Sequence, residues 1–261
     1  MIDYEFRVIT QTIRKIAKEK SKAERILLNK ISLSHISNKN LLKLNNKYFK
    51  NLKKVTGLVY RGLPINNPKD FFSSESEVNI EFKKLKNNYN HKLKGLRLIQ
   101  FPNPNLVSLK KFKNFISKEK FYGFEVIPEW HKNTYLSKSY DKFFKHAENI
   151  KKPVAVETTF SHKQIDSSIF HIKEIIKKFP NLRLIFPKFG AGIFLFPFLI
   201  KNLKNKPILI SSAPKSMDWI KILQIKNFNK SFKIVFGTDH PLNGNTSHII
   251  YKKWIKNYDQ K

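Results

Sequence analysis

A carboxylate stands where an apolar run of this chain stops. Lys233-Ile234-Val235-Phe236 leads into Gly237-Thr238-Asp239-His240-Pro241, a strand with a sharp exit, and an Asp at such an exit projects from the sheet edge rather than into the core. With other carboxylates nearby its pKa is pushed up toward a value suited to general-base work on water. The alternative is a structural Asp that fixes the turn through backbone hydrogen bonds. His131, His162 and His240 follow apolar runs in the same way and suit proton donation or acceptance, or are plain loop histidines. Arg7 and Arg61 have the fork geometry that clamps a carboxylate, and Lys188 suits an anion or a polarised carbonyl. For each of these cations a structural ion pair is the competing role. Ser211 and Ser212 close another apolar run, where an anion would be bound or where Ser212 caps the next helix ahead of Pro214.

The elements that must position these residues repeat. Short apolar runs at 2–9, 55–61, 95–101, 121–128, 153–159, 182–187, 207–212 and 233–236 read as strands, each closed by Gly, Pro or polar residues. Between them lie helical spacings: Leu109, Phe112, Phe115 and Ile116; Tyr140, Phe143, Phe144 and Ala147; Ile165, Ile169, Ile172, Ile176 and Phe179. A Lys-rich stretch at about 10–54 reads as a helical insertion after the first strand, and residues 66–80 read as loop. Eight strands that are apolar on both faces and separated by helices predict parallel pairing, and eight is the number that closes a (β/α)8 TIM barrel. A length of 261 residues suits one such domain. An open doubly wound sheet is the alternative, but no Gly-rich phosphate loop follows any strand.

Composition removes some chemistry. Cysteine is absent, which excludes disulfides, thiolate metal sites and Cys nucleophiles. No apolar window approaches the roughly eighteen residues of a membrane span, and Met1-Ile2-Asp3-Tyr4-Glu5 lacks a signal-peptide layout, so a cytoplasmic protein without a membrane partner is expected. The net charge of +32 invites a nucleic-acid partner. It is discounted, because of 51 basic residues only Arg7, Arg14, Arg25, Arg61, Arg97 and Arg183 are arginine, and an excess of Lys, Asn, Ile and Phe is what an AT-rich genome writes into any protein. Nothing in the sequence sets the oligomeric state.

Several strand segments resemble those of the amidohydrolase superfamily, in its branch of (β/α)8 hydrolases and decarboxylases. They are Gly123-Phe124-Glu125-Val126-Ile127-Pro128, Lys152 to Thr158, Phe179 to Gly190 and Ile234 to Pro241. The resemblance implies a metal-dependent barrel acting on small carboxylated or aromatic substrates, with His ligands ending the first, fifth and sixth strands and an Asp ending the eighth. Asp239 keeps the last of these positions. The others hold Glu5 and Arg7, Glu157, and Lys188, with Glu125 on the fourth strand. Matched in this way, four carboxylates (Glu5, Glu125, Glu157, Asp239) meet two cations (Arg7, Lys188). The expectation is that the cations replace the charge of the metal, leaving no cofactor. The alternative is a hard divalent ion held by Glu5, Glu125, Glu157 and Asp239.

Three functions follow from these readings. The first is a metal-free hydrolase of a small anionic ester, lactone or amide: Asp239 serves as base, with Lys188, Glu157 and Glu125 as further catalytic groups, and Arg7, Glu5, Arg61, His131, His162, His240 and Ser211 around the substrate. The second is a catalytically inactive barrel that binds a ligand or scaffolds. The third is a basic nucleic-acid-associated protein.

Overall fold

The computed structural model describes residues 2–3, 6–7, 54–59, 67–88, 93–126, 138–156, 172–187, 208–211 and 233–236. Strand segments β1 (Ile2–Asp3) and β2 (Phe6–Arg7) both pair with β3 (Lys54–Val59) and together make the first stave. The staves then follow in chain order: β4 (Leu93–Gln100), β5 (Gly123–Val126), β6 (Val154–Val156), β7 (Leu184–Phe186), β8 (Ile208–Ser211) and β9 (Lys233–Phe236). Every ladder is parallel, and β1 approaches β9, as closure of a (β/α)8 barrel requires. Each expected strand run therefore contains a strand. The helical insertion expected at about 10–54 lies outside the described residues apart from Lys54, which opens β3.

Helices α1 (Pro68–Asn88), α2 (Leu109–Ile116) and α3 (Lys138–Asn149), with helical turns at 172–178, occupy the connections. Helix α1 corrects the expectation of a loop at 66–80. Its start has ordinary causes: Asn67 accepts the Lys69 N–H through Oδ1 at 2.9 Å, Pro68 takes the first helical position and Asp70 sits in the first turn. Its buried face is Phe71, Ser74, Glu75 and Val78, a helical spacing in which the two middle residues are polar. Among the described residues no helix is long and apolar enough to cross a membrane.

Strand alternation divides the core into two layers. Outward-facing Phe124 packs with Phe101, with Phe112 of α2 and, through Phe101 and Phe112, with Phe143 of α3. Phe144 extends this cluster to Phe101 and Phe179. On the inner face Leu98, Ala155 and Ile185 pack together against Tyr122 and Ile208. Gly123 allows β5 to approach β6 this closely, since a Cβ there would run into the Pro153 carbonyl oxygen and come within 2.8 Å of Pro153 Cγ. That carbonyl is held in place by the Phe124 N–H at 2.8 Å. Gly123→Ala is therefore expected to cost about 1–3 kcal/mol in urea unfolding, the usual range for overpacking; unchanged stability would mean that Pro153 moves aside freely.

Candidate functional site at the strand ends

The side of each strand that carries Leu98 faces the barrel interior, and following the ladders gives one tier of positions near the strand ends. Gln100 pairs with Glu125, Glu125 with Ala155, Ala155 with Ile185, Ile185 with Ile208, and Ile208 with Lys233. Residues that are Cα partners in a sheet share a face, so Gln100 and Glu125 stand side by side on the inner surface. Both are fully enclosed, at 1 % and 0 % exposure. Gln100 Nε2 has no hydrogen-bond partner among the described residues. Arg7 takes the register position of Val59 and, through it, of Leu98, two residues before Gln100.

Behind this tier, on the outer face of β4, lies a buried ionic cluster. Arg97 Nη2 donates to Glu75 Oε2 at 2.7 Å and to the Glu75 carbonyl at 2.6 Å, while Nη1 donates to Glu119 Oε2 at 2.7 Å. The Arg97 and Glu75 side chains are essentially inaccessible, and Glu119 is 11 % exposed. The other Glu75 oxygen accepts the Gln100 backbone N–H at 3.2 Å. Helix α1 thus reaches through Glu75 to fix the end of the strand that carries Gln100. One guanidinium serves two carboxylates here, so the cluster lacks positive charge. Burial pushes Glu75 up to about 7; the Arg97 guanidinium and the hydrogen bonds from Arg97 and Gln100 oppose this, and the Glu125 charge adds to it.

The expected site residues fall into two groups. Glu125 is on the inner face, Arg7 has its place in the register of the first stave, and Ser211 ends β8 opposite Phe236. Asp239, Lys188, Glu157, Glu5, Arg61, His131, His162 and His240 lie outside the described residues. The sequence reading missed Gln100 and the Arg97–Glu75–Glu119 cluster. Arg97 carried a signal all the same, because a charge within Gly95-Leu96-Arg97-Leu98-Ile99 is buried on either face of a barrel strand and has to be paired.

Two clefts of about 530 and 550 Å³ lie on the helical exterior and share Lys145 and Asn149. Their lysines include members of surface pairs, Lys178 with Asp141 at 2.8 Å and Lys145 with Glu148 at 2.9 Å. Such pairs are worth little and do not converge on a reacting atom.

No protein-family model matches the sequence, and no curated protein matches it. Solved structures do. A 5-carboxyvanillate decarboxylase from Novosphingobium aromaticivorans, complexed with manganese and 4-hydroxy-3-methoxy-5-nitrobenzoic acid, superposes with a TM-score of 0.67 at 10 % identity, over 97 % of this chain and 88 % of that one. A 2,6-dihydroxybenzoate decarboxylase complexed with 2,6-dihydroxybenzoate gives 0.62 at 12 % identity, over 96 % and 90 %. Amidohydrolase 2 from Bifidobacterium longum subsp. infantis gives 0.58 at 12 %, over 98 % and 91 %.

Among these similar structures the 5-carboxyvanillate decarboxylase holds manganese. In this chain the tier level with Glu125 offers a carboxylate, an amide, three aliphatic residues and the Lys233 position. Among the described residues no group of three His, Cys, Asp or Glu side chains comes together to hold an ion. The parallel ladder in chain order and the superposition along almost the whole chain agree: this protein has the (β/α)8 barrel fold of the amidohydrolase-related hydrolases and decarboxylases.

Proposed function

We propose that the protein is a hydrolase of small anionic esters, lactones or amides that works without a metal. What supports the reading most directly is Glu125, a carboxylate enclosed on the inner face of a barrel strand near its C-terminal end, the side on which barrels of this kind carry their chemistry. The donor types support it further. Where a divalent ion would need several anionic or imidazole ligands, the positions matched by sequence include the cations Arg7 and Lys188 as well as the carboxylates Glu5, Glu125, Glu157 and Asp239. The solved structures of similar fold include decarboxylases of hydroxylated benzoates, which favours a small carboxylated aromatic as the substrate.

In this scheme Asp239 takes a proton from water as the water oxygen attacks the ester carbonyl. Lys188 holds the oxyanion that forms, Arg7 and Arg61 hold the carboxylate of the substrate, and the proton on Asp239 passes to the leaving group. Glu125 and Glu157 pair with the cations and keep them oriented, and His131, His162, His240, Ser211 and Glu5 surround the substrate. The test is hydrolysis of carboxyphenyl acetates and carboxylated lactones by protein dialysed against EDTA, with metal content measured on the same sample. Turnover that survives chelation without stoichiometric metal is expected. Activity lost on chelation and restored by a divalent ion ends the metal-free assignment. Ligand binding without turnover of any ester points instead to the inactive, ligand-binding barrel.

A further inference from the structure

Lysine written in excess by genome composition spreads over a whole surface, and the charge on the described surface is not spread evenly. On α1 the partly exposed Asp70, Glu77 and Glu81 stand among Lys69, Lys83 and Lys84. The two exterior clefts are one-sided. Four exposed cations line them without a carboxylate partner among the described residues: Lys113 of α2, Lys142 of α3, and Lys151 and Arg183 in the turns that lead into β6 and β7. The carboxylates present are already engaged, Asp141 by Lys178, and Glu148 by Lys145 at one oxygen and the Asn181 N–H at the other. Burial, and then the Lys113 charge, hold the pKa of His146 on the wall of the first cleft below the ordinary histidine value, so the positive charge is felt inside the cleft.

The clefts, of about 530 and 550 Å³, share Lys145 and Asn149 and so make one concave track across α3. Its apolar lining is the half-buried Leu109 with the buried Phe179 and Leu182. It therefore lacks both the apolar walls of a small-molecule site and an exposed ring on which a base stacks. A duplex is a stiff convex rod that touches the rims of such a track, whereas a single strand bends into it. Lys151 and Arg183 stand at the N-terminal ends of the strands, the opposite end of the barrel from the candidate site, so an occupant here leaves that site open.

We propose that these clefts form a sequence-independent track for the phosphate backbone of single-stranded nucleic acid, held by Lys113, Lys142, Lys151 and Arg183. This is a second function of the chain, separate from the hydrolase reading. Affinity in such a track comes from counterion release and falls steeply with salt.

The probes are fluorescent oligo(U) and oligo(dT) of about twelve nucleotides, followed by anisotropy with the full chain. Wild type is compared with Lys142→Gln plus Arg183→Gln and, as a control of equal charge change, with Lys69→Gln plus Lys83→Gln. Four phosphate contacts predict a slope of about −3 in log K against log salt, so wild-type affinity should fall about 50-fold between about 50 and 200 mM salt. The cleft pair should weaken binding about tenfold and halve the slope, and the α1 pair should change neither much. All four substituted side chains are exposed, so the melting temperatures should match and lost binding is not lost folding. Equal losses in the two double variants would make binding a property of net charge and overturn the track. So would a duplex held as tightly as the single strand, or no binding at about 50 mM salt. Cleft-dependent retention on phosphatidylserine vesicles without oligonucleotide binding would assign the surface to a membrane instead.

Discussion

Arg97→Met removes about 3–5 kcal/mol of folding stability, a large part of what a domain of this size has to lose. The guanidinium makes three hydrogen bonds of 2.6–2.7 Å from a position 1 % exposed, and methionine fills similar space while leaving Glu75 and Glu119 without their cation. Glu119, partly exposed, can turn toward water; Glu75 is fully enclosed. The sign of the pH dependence follows from Glu75, whose pKa in the fold is raised above its unfolded value of 4.5 to about 7. Between these values the folded state holds a proton that the unfolded state has released. Its contribution is therefore fully present below pH 4.5 and is lost as pH rises through about 7. Without Arg97 the Glu75 pKa rises further and this loss continues upward. The cost of Arg97→Met should then grow above pH 7 by up to about 1.4 kcal/mol per pH unit, as measured by urea unfolding across pH 5–9. Adding Glu75→Gln removes the buried charge, keeps an acceptor for the Gln100 N–H and should flatten that slope. A cost independent of pH in the single variant would show that Glu75 is already neutral in the wild-type fold.

How much of this was legible depends on how each residue is buried. Strands of a parallel barrel are covered on both faces, so Val154-Ala155-Val156 and Leu184-Ile185-Phe186 read as continuous apolar runs, and the order of eight such runs gave the barrel. The faces of α2 and α3 were equally plain, since Phe112, Ile116, Tyr140, Phe143, Phe144 and Ala147 are all buried at helical spacing. Helix α1 was hidden because Ser74 and Glu75 interrupt its buried face, and Glu75 is acidic there because its carboxylate pairs with the buried Arg97. Misreading that helix as loop removed the partner of Arg97 from view. Only the Asn67-Pro68 start, with Asp70 two residues later, offered a correction. Glu125 was reached through family resemblance, and the register puts it on the inner face beside Gln100. Gln100 escaped notice because a polar residue that ends a strand reads as the strand's exit, and only burial marks it as a donor in need of an acceptor.

Asp239→Asn is expected to lower kcat for a carboxylated ester by about 10²- to 10⁴-fold with little change in KM, the range for loss of a general base. Asparagine has nearly the shape of aspartate and keeps an acceptor oxygen, but it cannot take the proton from water. If Asp239 only fixes the turn, the same substitution leaves kcat nearly intact, because a side-chain amide oxygen accepts the same backbone hydrogen bonds. Lys188→Met separates binding from chemistry. A lysine that holds the oxyanion formed in the transition state loses kcat on removal, whereas one that only binds the substrate's carboxylate raises KM. The acid limb of the kcat/KM profile of wild type should report the ionisation of the base, and that limb should vanish in the residual activity of Asp239→Asn. Persistence of the limb in the variant would assign the base elsewhere, with Glu125 the next carboxylate to replace.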